Sequence, residues 1–177
     1  MLSLIGIESF EIRSLADLQQ LMQGLILPGG ESTVIGRLMA DLGLLTPMRH
    51  LIHDGLPVLG ICAGMILLAE HLENDPVCHL ATMNITVCRN AYGRQLGSFQ
   101  TTAAFGSKSE IPMVFIRAPY IADAGHGVKI LAKVDERVVA ARQGNQLVTA
   151  FHPELTNDLT VHRYFVQTCI FNPAGIF

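Results

Sequence analysis

Two short stretches carry residue types that could do chemistry together. Cys62 lies in Gly60-Ile61-Cys62-Ala63-Gly64, with a glycine two residues away on either side. This is the spacing of the G-x-S-x-G elbow, where a strained strand-to-helix turn needs small neighbours to push one side chain into the open. A thiol held there is expected to be exposed and aimed, and the positive end of the following helix favours its thiolate, the reactive form. A buried structural cysteine is the alternative, because most free cysteines are packed in cores. A nucleophilic thiol needs a base, and the base needs an orienting group. His152-Pro153-Glu154 supplies both within three residues. Proline disfavours helix, so the segment is expected to be extended, with residues two apart facing the same way. Glu154 could then hold one imidazole nitrogen while the other faces Cys62, as in a catalytic triad. A plain strand end is the other reading of these three residues.

The surrounding elements must bring these stretches together. Asp54-Gly55 marks a turn, Pro57 to Ile61 reads as a buried strand, and the apolar run after Cys62 reads as a helix. Upstream, Ser9 to Arg13 alternates as a strand, and Ser14 can cap a helix through Leu15, Leu18 and Leu21 that Gly24 closes. Leu25-Ile26-Leu27 is the next buried strand. It runs into Pro28-Gly29-Gly30-Glu31-Ser32-Thr33, whose glycines free the backbone to approach a ligand, unless this is simply a strand-to-helix turn. Ser32 or Thr33 can cap the helix carrying Ile35, Leu38, Met39 and Leu42.

After the elbow, Ile85 to Val87 and Phe99 to Phe105 read as strands, separated by a polar loop with Arg89 and Arg94 that could hold a carboxylate or be solvated surface. Val114 to Pro119, Val128 to Lys133, Val138 to Arg142 and Leu147 to Phe151 are further short strands, an antiparallel excursion. Thr156-Asn157-Asp158 caps a last helix with Leu159, Val161, Tyr164, Phe165 and Ile170 near one face. Crossovers between apolar strands predict an α/β fold whose central sheet is mostly parallel.

With 177 residues, half of them hydrophobic, the chain is expected to form a single domain over residues 1–177. Its 12 basic and 15 acidic residues, with no basic cluster, argue against nucleic acid and leave a small molecule or a protein as partner. No apolar run approaches the ~20 residues of a membrane span and no leader pattern opens the chain, so the expected location is the cytoplasm. The four cysteines form no C-x-x-C pair and are read as reduced thiols. His50 and His53, three apart on a helix, are read as surface residues, and neither a metal nor a cofactor is expected.

Six segments in order carry a family resemblance: Leu27-Pro28-Gly29-Gly30-Glu31-Ser32, Gly60-Ile61-Cys62-Ala63-Gly64, Arg89-Asn90-Ala91-Tyr92-Gly93-Arg94-Gln95, Phe115-Ile116-Arg117-Ala118-Pro119, Ala140-Ala141-Arg142-Gln143-Gly144 and Phe151-His152-Pro153-Glu154-Leu155-Thr156. Together they resemble the glutaminase subunits of pyridoxal 5'-phosphate synthase, a family of class I (triad) glutamine amidotransferases. The elbow and His-Pro-Glu are common to the whole triad class, and the match runs from Ser9 to Cys169.

The resemblance implies a three-layer fold, its sheet flanked by helices, and a glutaminase that passes ammonia to a synthase subunit in a hetero-oligomer for vitamin B6 cofactor formation. It implies Cys62 as nucleophile, His152 as general base and acid, and Glu154 as its orienting residue. Gly30, Glu31 and Ser32 would hold L-glutamine, with Arg89, Ile116 and Arg117 completing the pocket. The N–H groups of Gly30 and Ala63 are the natural oxyanion donors. A non-catalytic form that binds the synthase subunit without turnover is the rival reading, and another cysteine hydrolase of similar fold is a third. The family places an apolar strand, a Leu-Gln-Gly turn and a helix before the segment that begins here near Ile5. The chain has no counterpart for roughly 20 of those residues, so an unpaired sheet edge is expected.

Overall fold

The run before Cys62 forms β2 (Val58–Ile61), and all four of its residues are buried. A strand covered on both faces reads as a continuous apolar run, which is why its sequence shows no alternation. The computed structural model describes residues 1–89 and 98–171. In it β2 lies between β1 (Leu25–Leu27) and β10 (Gln146–Thr149), parallel to both. The sheet continues from β10 through β9 (Arg137–Gln143), β7 (Tyr120–Ala124) and β4 (Met83–Cys88) to β3 (Ala69–Leu72), and β8 (Lys129–Val134) pairs with β9. The β10–β9, β9–β7, β7–β4 and β8–β9 pairs are antiparallel, whereas β3 and β4 are parallel. The α/β sheet is thus mixed, parallel around β2 and mostly antiparallel beyond β10. A separate antiparallel hairpin pairs β5 (Ser98–Phe105) with β6 (Lys108–Ile116).

Helices α1 (Ser32–Asp41) and α2 (Leu45–His53) connect β1 to β2, and α3 (Ala63–Leu68) follows the elbow with all six residues buried. Helix α3 packs against α1 on one side and β1 and β2 on the other. The two elbow glycines make this possible through space. A Cβ on Gly64 would lie 2.3 Å from the Leu27 carbonyl oxygen, and one on Gly60 would lie 2.8 Å from the Gly64 carbonyl. The last helix, α4 (Thr160–Tyr164), runs on as a π-helical turn over Phe165–Ile170 that reaches β10. Leu59, Met65, Leu67, Leu147 and Phe151, none with any exposed surface, form the middle of the core.

Several local expectations change. Ser9 to Arg13 forms no strand, because it has no ladder to join: a trough of about 1020 Å³ separates it from β1. This trough is lined by Ile7, Phe10, Ile12, Leu25, Met39 and Phe165 among others. Among the described residues β1 ends the sheet on that side. The helix after Ser14 shortens to a 3-10 turn, Leu15–Gln19, held by a Ser14–Asp17 capping box, and Leu21 is almost fully exposed. Only Leu18 of its apolar residues packs against the core, while Leu15 and Leu21 are exposed, and propensity alone does not sustain a longer helix. Helix α1 is capped by Glu31, whose side chain accepts from the Thr33 N–H at 3.4 Å, not by Ser32 or Thr33. At the last helix Asp158 accepts from the Thr160 N–H at 2.8 Å and Thr156 Oγ1 from the Asp158 N–H at 3.2 Å, so the expected capping segment does tie off that end.

The elbow contacts give a stability test. Gly64→Ala forces a methyl against a backbone oxygen that cannot rotate away, and it is expected to lower the unfolding free energy by about 1–3 kcal/mol. Urea denaturation reads this directly, and an unchanged midpoint would show that β1 and α3 can separate freely.

Candidate active site

The register of β2 and β10 places the two chemical stretches side by side. Ile61 pairs with Thr149, and the Cys62 N–H donates to the Thr149 carbonyl at 2.7 Å. Both strands therefore end on the same side of the sheet, with Cys62 one residue beyond Ile61 and His152 three beyond Thr149. Cys62 sits at φ 50°, ψ −97°, outside the comfortable range of a side chain with a Cβ. Such strain persists only where the surroundings enforce it, and here β2, α3 and the tight glycine contacts do so. The expected exposed thiol is not what is found: Cys62 is 6% exposed, closed in by the pocket walls.

His152 leaves β10 in an extended conformation, and its N–H donates to the Val114 carbonyl of β6 at 2.8 Å. The expected extended His-Pro-Glu is instead a bend, for Pro153–Leu155 is a 3-10 turn with proline at its first position. Proline is favoured there because the missing N–H would have had no intrahelical acceptor. The tighter turn still puts the side chains together: His152 Nδ1 donates to Glu154 Oε1 at 2.7 Å. That leaves Nε2 as the nitrogen for Cys62. The ring also leans on Gly29, where a Cβ would stand 2.4 Å from its Cε1. Gly29 thus leaves room for the imidazole, whereas Gly30 supplies an unusual backbone angle, φ 143°.

The electrostatics favour a charged imidazole. The hydrogen bond to Cys62, then that to Glu154, outweigh burial and push His152 up to about 9. Burial works against the Glu154 carboxylate, but the hydrogen bond from His152, a backbone hydrogen bond and the attraction of His152 together hold it below the usual carboxylate range. Cys88 and Cys169 are pushed the other way by burial, Cys169 to about 11. All four cysteines are free thiols.

A cavity of about 300 Å³ opens over Cys62 and His152, lined also by Gly30, Glu31, Ser32, Ile66, Arg89, Ile116 and Arg117. All six residues expected to hold the substrate line it. Ala63 and Glu154 lie behind the wall: Ala63 is buried at the start of α3 and Glu154 stands behind His152. As the first residue of α3, Ala63 has an N–H without an intrahelical acceptor. The β5–β6 hairpin delivers Ile116 and Arg117, the latter at φ 44°. It is anchored by Phe115, which stacks on Phe99 at 4.6 Å and meets the edge of Phe151 at 5.8 Å. Arg94 lies outside the described residues.

Three neighbours were not expected. Ile66 lies four residues after Cys62, one helical turn on, a spacing that could have revealed it. Thr33 Oγ1 accepts from Arg89 Nη2 at 3.3 Å, and Asp75 Oδ2 from Arg89 Nη1 at 2.9 Å. Nothing in the sequence around Asp75 signals that contact. Among the described residues no three His, Cys, Asp or Glu side chains are grouped to hold a metal ion, and no helix is long and apolar enough to cross a membrane.

Known proteins share this arrangement of chain. Residues 2–171 match the family described as SNO glutamine amidotransferase family. Pyridoxal 5'-phosphate synthase subunit PdxT of Methanocorpusculum labreanum is 58% identical over 167 residues, covering 94% of this chain and 88% of the relative. The protein of the same name from Streptococcus pneumoniae is 53% identical over 168 residues, covering 93% and 87%. A solved glutamine amidotransferase structure superposes with a TM-score of 0.88 at 40% identity, covering 94% of this chain and 88% of that one. A Thermotoga maritima glutamine amidotransferase, 13% identical with a TM-score of 0.54 and covering 88% of this chain and 70% of that one, shares the fold.

The imidazole's charge can be followed directly. In an NMR titration of the His152 ring, the midpoint is expected near 9 in the wild-type chain and lower in Glu154→Gln, which removes one of the two contacts that favour the charged ring. A midpoint that does not move would show that Glu154 leaves the proton affinity of His152 untouched.

Proposed function

The chain belongs to the SNO glutamine amidotransferase family, and on that premise we propose that it is the glutaminase of a pyridoxal 5'-phosphate synthase, hydrolysing L-glutamine to L-glutamate and ammonia. The observation that carries this reading is the pairing of Cys62 and His152 at adjacent parallel strand ends, with Glu154 bonded to the far side of the imidazole. In this reading the residues form one glutamine amidotransferase domain that works in the cytoplasm. It docks on a synthase subunit in a hetero-oligomer and hands the ammonia to it.

The chemistry follows from the positions. With the thiol proton held by His152, the Cys62 sulfur attacks the side-chain amide carbon of glutamine and a C–S bond forms. The oxygen that gains charge is met by the backbone N–H groups of Gly30 and Ala63. Imidazolium Nε2 then gives its proton to the amide nitrogen, the C–N bond breaks and ammonia leaves. Water attacks the thioester while His152 takes one of its protons. The C–S bond breaks, glutamate departs, and the thiolate and imidazolium are restored. Glu154 keeps the ring oriented throughout and balances its charge. Arg89 and Arg117 are the cations at the pocket wall suited to the substrate's α-carboxylate, with Gly30, Glu31, Ser32 and Ile116 shaping the space around its backbone end.

Two substitutions separate the roles. Cys62→Ala, assayed for ammonia release with the synthase subunit present, is expected to abolish turnover while thermal unfolding stays cooperative. A glutamine-like electrophile is expected to label Cys62 ahead of Cys78, Cys88 and Cys169. Substantial residual turnover or equal labelling of all four would remove Cys62 from the nucleophile's place. Arg89→Ala is expected to raise the KM for glutamine by about tenfold or more with a smaller loss in kcat, the cost of a charge-assisted contact. An unchanged KM would assign the α-carboxylate to another partner.

A further inference from the structure

Arg89 reaches the pocket from the end of β4, and its guanidinium is gripped from behind. Nη1 donates to Asp75 Oδ2 at 2.9 Å, while Nη2 donates to Thr33 Oγ1 at 3.3 Å and stands 3.9 Å from Glu31 Oε1. Asp75 is not part of the cavity wall. It lies beyond β3, where Leu72 and Asp75 form an isolated antiparallel bridge. Its second oxygen, Oδ1, accepts from the Val77 N–H at 2.9 Å. That bond closes a turn in which the side chain stands in for backbone, with Pro76 fixing φ between the two residues. Both carboxylate oxygens are therefore committed, Oδ1 to the turn and Oδ2 to the guanidinium, and the backbone dictates where the carboxylate points. The Arg89 and Asp75 side chains are 29% and 30% exposed, so their contact is partly shielded from water.

A free arginine side chain has several rotatable bonds, and ordering it when a ligand arrives weakens binding. The Asp75 and Thr33 contacts order it beforehand, at a place where Arg89 lines the cavity. We propose that Asp75 is a positioning residue for substrate recognition: it fixes the Arg89 guanidinium where the α-carboxylate of the amino-acid substrate must bind. This rests on the glutaminase reading above and adds to it a residue that touches no substrate atom. Its effect belongs to binding through Arg89, because the reacting amide lies at the other end of the substrate, over Cys62.

The test is a double-mutant cycle on the full chain with the synthase subunit present, measuring KM and kcat for L-glutamine. Asp75→Asn keeps an oxygen for the Val77 N–H and removes the charge. It is expected to raise KM by about three- to tenfold while kcat stays within about twofold. On an Arg89→Ala background the same substitution is expected to change KM no further. If Asp75→Asn does not fold, Asp75→Ser, whose hydroxyl can also accept from the Val77 N–H, takes its place in the cycle. An unchanged KM with active wild-type enzyme overturns this inference alone, as does an equal rise in KM with and without Arg89. Wild-type chain that releases no ammonia from glutamine overturns the glutaminase reading and this inference with it.

Discussion

The parallel ladder between β2 and β10 is the constraint on which the site depends. These strands are far apart in the chain, yet the pairing of Ile61 with Thr149 and the bond from the Cys62 N–H to the Thr149 carbonyl fix where each one ends. Side chains alternate along a strand, so slipping this register by one residue would exchange the side chains that β10 presents to its two faces. Leu147, Val148 and Thr149 are all fully buried, so β10 is covered on both faces and a slip would force the packing on both to be rebuilt. The core therefore sets the separation of Cys62 and His152, and the polar contacts at the strand ends only refine it. The β5–β6 hairpin adds a third fixed point, since the His152 N–H bonds the Val114 carbonyl.

The proton held between the two strand ends also links the site to stability. His152 has its affinity raised from 6.5 to about 9, so its contribution is fully present below 6.5 and is lost as pH rises through 9. Glu154 is shifted down, so its contribution is present above its ordinary 4.5 and is lost as pH falls through its lowered value. The pair supports the fold most between those ordinary values, and the base limb of its loss lies near 9. The same bond thus orients the imidazole and helps to hold the 3-10 turn against β10.

How much of this was legible in the sequence depended on how local the cause was. The elbow could be read because its glycines answer a short-range need, the space for α3 to pass Leu27 and for the turn to close on itself. His152 and Glu154 could be paired because two residues of separation leave few ways to point apart, even though Pro153 starts a 3-10 turn in place of the expected extended segment. Ser9 to Arg13 shows the opposite case, for alternation describes a strand only when another strand lies beside it, and this segment faces an open trough. The burial of Cys62 was equally invisible, since it is created by pocket walls drawn from β4, β6 and the loop after β1. Asp75 reaches Arg89 across the β3–β4 pairing, and no spacing rule joins two residues whose contact depends on that register.

Among the described residues β1 stands at one end of the sheet, so the elements that line the cavity are not equally paired. Cys62 and His152 descend from strands with a hydrogen-bonded neighbour on each side, and their amides can exchange with solvent only when much of the core opens. Gly30, by contrast, follows a three-residue strand with a ladder on one side only, whose other edge faces the trough. Local opening there requires far fewer broken contacts. Cys62 and His152 are accordingly held in the doubly paired part of the sheet, while Gly30 is held by a strand paired on one side only among the described residues.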